Sequence, residues 1–164
     1  MGRPTLYDAA GGAPAMLALA ADFHQRCLDH PTLSHPFSHG VDPEHVPHLA
    51  AYWGEVFGGP PVYSTTRGGH PAMIRVHANQ CDEDPFSAAF VECFDAAVAA
   101  TLPDDPALRA VLGDYIRAGT TEVVPYMPLS AAGPADVPMP LWTWAGRQGR
   151  DGSVSTGEAV TRTP

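Results

Sequence analysis

The 164-residue chain fits one domain, since single hydrophobic cores are commonly built from roughly 100 to 200 residues. Its 45% hydrophobic and 16% charged content places it among globular proteins. A formal net charge of −9, with nine basic residues that are all arginine, argues against nucleic acid as a partner and against a polybasic grip on an anionic membrane.

No stretch approaches the roughly 18 continuous apolar residues of a membrane span. The start, Met1 to Tyr7, lacks the basic-then-apolar pattern of a secretory signal, so the expected location is the cytoplasm. Cys27, Cys81 and Cys93 form no CxxC pair and read as free thiols.

In chain order, the first predicted helix runs from Gly12 to Cys27, where Met16, Leu17, Ala20, Phe23 and Cys27 recur at helical steps and His24 sits beside the stripe. Pro31, Pro36 and Gly40 then break the chain around Phe37. A second helix is expected from Asp42 as N-cap and Pro43 as first residue, with His45, His48 or Leu49, Tyr52 or Trp53, and Val56 facing inward. Gly58, Gly59 and Pro60 stop it, and a loop through Gly69 leads to a short helix from His70 to His77. A longer helix is predicted from Asp84 and Pro85, burying Phe86, Ala89, Phe90, Cys93, Phe94 and Ala97. The last is predicted from an Asp105 cap and Pro106 to near Pro125, presenting Leu108, Val111, Leu112, Tyr115, Ile116 and Val123. Beyond it, residues 127–164 are rich in Pro, Gly, Ser and Thr and read as a mostly irregular C-terminal extension to a domain over 1–126. Within this extension Trp142 and Trp144 should lie back on the body, because exposed indole rings forgo apolar burial.

Every periodic segment is therefore helical, and no Gly-rich phosphate loop, CxxC metal site or GxSxG elbow is present. The eight histidines carry the remaining chemistry. His45 and His48 on one helix, with His77 on the next, have a spacing that permits a haem between facing segments. Equally, His45 and His48 with His24 or His77 have a spacing that permits a bare metal such as zinc. Spacing leaves both open.

The order TLYDAAGG (Thr5 to Gly12), VFGGP (Val56 to Pro60) and RGGHPAMIRVH (Arg67 to His77) resembles the group II truncated haemoglobins over about Thr5 to Tyr126. The combination of the GGP stop, the GGHP turn and a histidine seven residues after the first is the specific part. The resemblance implies an all-α truncated globin, two helix pairs stacked two over two around haem b. It makes His77 the iron ligand and gives His70 a structural role. It also implies His24 and His45 as distal residues acting on ligand, and Phe37, Leu49 and Phe90 as apolar walls. In group II relatives tyrosine is usual at the His24 position and tryptophan at the Phe90 position, so two hydrogen-bond donors of that group are replaced here. Arg75, with Arg67 and Tyr63, is expected at the haem propionates.

The function this implies is binding of oxygen, nitric oxide, carbon monoxide or peroxide, with nitric oxide dioxygenase or peroxidase-like turnover and a redox partner to support it. The rivals are a haem capped by two histidines in a sensor or structural protein, and a specialised haem enzyme acting on a nitrogen–oxygen substrate. The chain is expected to be a monomer or homodimer.

Overall fold

The computed structural model describes residues 2–34, 41–80, 86–134 and 136–149. Phe37, Cys81 and the helix-start signals Asp84 and Pro85 lie outside the described residues.

A short helix, α1 (Leu6–Ala10), precedes the first predicted one. The Thr5 hydroxyl caps it by accepting the Asp8 N–H at 3.0 Å, and Gly11 ends it at φ +113°. Five residues span too little chain for a 3.6-residue period to register. Helix α2 (Gly12–Asp29) buries Met16, Leu19, Ala20, Phe23, His24 and Cys27. Leu17, predicted on that face, is 48% exposed and Leu19 takes its place. His24, beside the predicted stripe, is buried along with this face.

Helix α3 (His45–Val56) starts later than its signals suggest. Asp42 caps a preceding turn instead, its carboxylate accepting the Glu44 N–H at 2.9 Å and its carbonyl the His45 N–H at 3.0 Å. Pro47 is tolerated because it lies in the first turn, where backbone N–H groups have no intrahelical acceptor. The GGP stop has a steric reason: a Cβ on Gly59 would lie 2.7 Å from the Gly54 carbonyl oxygen and 2.8 Å from the Tyr7 ring.

The stretch predicted as a loop contains α4 (Val62–Arg67). The Glu55 carboxylate holds it, accepting the Ser64 N–H at 2.8 Å and the Ser64 hydroxyl. Helix α5 (Gly69–His77) follows, entered through Gly68 at φ +86° and Gly69 at +69°. Helices α6 (Ser87–Thr101) and α7 (Pro106–Val123) match their patterns. Asp105 caps α7 as expected, accepting from Ala107 and Leu108 N–H at 2.8 and 3.2 Å. A 3-10 turn, Val124–Tyr126, extends α7.

Helix α2 packs on α3, α6 on α7, and α2 crosses α6, giving the two-over-two stack. Aromatic rings fill the space between the layers. Phe23 meets Trp53 edge-on at 5.3 Å, Trp53 meets Phe94 at 5.1 Å, and Phe57 meets Tyr115 at 4.9 Å. The Trp53 indole N–H also donates to the buried Tyr115 hydroxyl.

The described part of the extension contains an antiparallel hairpin of β1 (Trp142–Thr143) and β2 (Gly146–Arg147). Both tryptophans do lie back on the body. Trp142 is buried edge-on to Tyr115 at 5.7 Å. Trp144 donates its indole N–H to the Pro4 carbonyl at 2.6 Å, beneath the Arg3 guanidinium at 3.3 Å from the ring centre. Among the described residues no helix is long and apolar enough to cross a membrane.

Candidate functional site

His77 occupies the last turn of α5 and is half-buried. One of its nitrogens, Nδ1, lies 3.0 Å from the Met73 carbonyl oxygen. A carbonyl only accepts, so Nδ1 carries the proton and Nε2 keeps its lone pair. Burial lowers the pKa of His77, and the Met73 hydrogen bond partly offsets this. The ring is therefore neutral at pH 7, the form a metal requires. Phe90 from α6 meets it edge-on at 6.5 Å and lies parallel to Phe23 of α2 at 6.0 Å.

Facing this group, His24 from α2 and His45 from α3 bring their rings to 4.8 Å at a tilt of 44°. Burial lowers the pKa of both. For His45 the charges of His24, His77 and His48 add to that effect and Asp42 opposes it, so imidazoles from α2, α3 and α5 border a common space. His48 buries its Nε2 without a hydrogen-bond partner among the described residues. Leu49, Val46 and Met73 are partly buried against the same core.

At the margin, Tyr63 is 8% exposed, while Arg67 and Arg75 are exposed and enter no ion pair among the described residues. Burial pushes the Tyr63 pKa up, and the two guanidinium charges counter it, which puts both cations near its hydroxyl.

The structure thus brings His24, His45, His77 and Phe90 to one region, sets Leu49 against the adjoining core, and groups Tyr63 with Arg67 and Arg75. Two contributors escape sequence reasoning. Phe23 reads as ordinary core, and the Met73 carbonyl is a backbone group that no side-chain pattern marks. Met73 lies four residues before His77 on a helix, so its carbonyl was within reach by spacing alone. Among the described residues no group of three or more His, Cys, Asp or Glu converges on a bare metal ion.

A two-over-two helical stack, with one imidazole oriented by a backbone carbonyl and others across from it, defines a small globin. A model of the family described as bacterial-like globin matches residues 5–114, and the chain belongs to that family. The group 1 truncated hemoglobin GlbN of Nostoc sp. (strain MUN 8820) is 32% identical over 120 residues, covering 73% of this chain and 90% of the relative. The hemoglobin of the thermophilic phototrophic bacterium Chloroflexus aurantiacus superposes with a TM-score of 0.64 at 29% identity, over 74% of this chain and 98% of that one. The group II 2-on-2 hemoglobin from the plant pathogen Agrobacterium tumefaciens shares the fold, with a TM-score of 0.65 at 24% identity over 75% of this chain and 95% of that one.

Haem b is the cofactor of this family and diatomic gases are its ligands. The residues present fit that group. His77 would offer a neutral lone pair with its other nitrogen tied down, Phe23, Phe90 and Leu49 would supply apolar wall, and the buried His48 Nε2 leaves polar capacity unused.

The neutral histidines make the protein acid-sensitive. His24, His45 and His77 bind protons less readily when folded than at the ordinary value of 6.5. Below that value the unfolded chain binds more protons than the folded one, so stability present at neutral pH is lost as pH falls. Before haem is added, the melting temperature should drop as pH is lowered from about 7.5 to about 5.5. His24→Phe should flatten that slope, and equal slopes in the two proteins would refute the assignment.

Proposed function

We propose that this protein binds oxygen or another small diatomic ligand at a haem held by His77, with His24 and His45 acting on the ligand. The observation that carries this reading is the pairing of His77, its Nδ1–H fixed to the Met73 carbonyl, with two neutral imidazoles 4.8 Å apart on α2 and α3. Bound haem would supply an iron with one coordination position open to a diatomic gas or peroxide, and one-electron redox chemistry.

The remaining roles belong to the chain. The Met73 carbonyl holds the His77 tautomer and increases the basicity of Nε2. Arg67 and Arg75, with the Tyr63 hydroxyl, would pair with the carboxylates of bound haem. Phe23, Leu49 and Phe90 keep water from the apolar faces. Neutral His45 and His24 each offer one N–H as donor and one nitrogen as acceptor, which suits them to hold a ligand or to move a proton to and from a peroxide oxygen. Nitric oxide dioxygenation and peroxide reduction are the turnover reactions such a site serves, with an external electron donor. We place the chain with the group II type on its GGP and GGHP motifs, with His24 and Phe90 as its departures from that pattern.

Oxygen dissociation measured by stopped flow tests the distal roles. His45→Leu and His24→Phe should each speed release about tenfold, the worth of one neutral hydrogen bond. Release at the wild-type rate in both variants would remove them from the site. The mutual reach of His45 and His77 also favours a second reading, in which a distal histidine caps the iron. Carbon monoxide binding then becomes independent of gas concentration, limited by histidine release, where an open site gives a rate proportional to concentration.

A further inference from the structure

Helix α5 has little of the support that α2, α3, α6 and α7 give one another. Its main helical neighbours are α4 and the 3-10 turn, and it buries only His70, Pro71 and Ile74. Nine residues are too few to hold a helix by backbone hydrogen bonds alone, and the two glycines at positive φ leave its entry angle unconstrained by local sterics. Side-chain tethers hold both of its ends.

At the entry, the buried His70 ring bridges three elements. Its Nε2 lies 3.1 Å from a Glu122 carboxylate oxygen on α7, and its Nδ1 lies 2.8 Å from the Tyr52 hydroxyl on α3. A carboxylate with a depressed pKa accepts only, so the Nε2 N–H donates to Glu122, while Nδ1 and the Tyr52 hydroxyl share a second hydrogen bond. Glu122 in turn takes both guanidinium nitrogens of Arg147, each at 3.2 Å, from the C-terminal hairpin. At the exit, Asn79 adopts φ +55°, and its amide side chain donates to the carbonyls of Pro128, Leu129 and Ala131 at 2.9, 3.2 and 3.3 Å. The backbone N–H groups of Asn79 and Gln80 donate to Tyr126 and Met127. Glu122, Arg147 and residues 126–131 all lie beyond the segment that the family model matches, which ends at residue 114.

We propose that the chain after α7, through the hairpin, is a brace for helix α5, with Glu122, Arg147 and Asn79 as positioning residues for His77. The proposal rests on reading His77 as the iron ligand. A ligand imidazole at the end of a short helix takes its angle from that helix, so tethers at both ends set the iron–imidazole geometry.

The test uses the full chain with Arg147→Gln, Glu122→Gln, Asn79→Ala and the charge-preserving Arg147→Lys. In the ferrous protein, the iron–histidine stretch seen by resonance Raman should shift in the first three. Haem transfer to an apomyoglobin acceptor should be about tenfold faster in them, and Arg147→Lys should recover part of both effects. Lower melting temperatures with the stretch and transfer rate at wild-type values would overturn the proposal, because a merely structural role produces that result. Amide hydrogen exchange over residues 73–77, measured on the protein as purified, separates the two assumptions. Loss of protection in Arg147→Gln and Asn79→Ala supports the brace even in a chain that takes up no hemin, and that combination overturns the haem reading alone. Protection equal to wild type overturns the brace.

Discussion

His77→Gly should yield a protein that has lost its histidine-ligated ferrous spectrum, and free imidazole in the medium should restore it. The position allows this substitution to be read cleanly. His77 closes α5, so the backbone cost of glycine there is about 0.5–1 kcal/mol, a minor fraction of a domain's stability. The buried residues of that helix, His70, Pro71 and Ile74, are untouched. On the reading of His77 as the ligand, the nitrogen that would hold the iron is removed. Weakening a partner of a ligand already costs about 10- to 100-fold in metal affinity, so removing the ligand itself should exceed about 100-fold in haem retention. Imidazole rescue distinguishes this from collapse, since a small base can enter the space that the ring vacates. A wild-type spectrum in His77→Gly would transfer the ligand role elsewhere, with His45, which interacts electrostatically with His77, the next candidate.

The legibility of this chain in its sequence follows a physical division. Helices α2, α6 and α7 are 18, 15 and 18 residues long and bury one face each, so apolar periodicity finds them. The Asp105–Pro106 start is equally visible, because capping uses side chains adjacent in sequence. Helices α1 and α4 are hidden, since a turn or two shows no period and the Glu55 carboxylate that secures α4 comes from outside it. At the site, the GGHP motif singles out His77, whereas the Met73 carbonyl beside its Nδ1 is a backbone group that only helical spacing points to. The His70–Glu122 bond spans 52 positions and the Glu122–Arg147 pair 25, so no local pattern joins them. His48, three positions from His45, is placed on the inner side of α3 by spacing, but only packing decides that its Nε2 is shut from water.

The fold's own weak point is Phe94. It is completely buried and meets Trp53 at 5.1 Å, Tyr115 at 5.9 Å and Phe23 at 6.1 Å, so it joins rings from α2, α3 and α7 to α6. Phe94→Ala should cost about 3–5 kcal/mol, the transfer energy of the ring plus the cavity that a rigid aromatic cluster cannot close. Against a total of about 5–15 kcal/mol this is a large share, and it appears as a lower denaturant midpoint at unchanged slope. Phe90→Ala provides the contrast. That ring is half-buried and borders Phe23 and His77, so its loss opens space on the ligand side and should move the midpoint less. Equal midpoints for the two variants would contradict the division of labour between a sealed inner layer and a wall that faces the ligand. The division matters for function because Phe23 touches both rings. A void at Phe94 frees Phe23 to turn, and through it the wall beside His24 loosens, so ligand release should quicken in Phe94→Ala although no residue of the site has been altered.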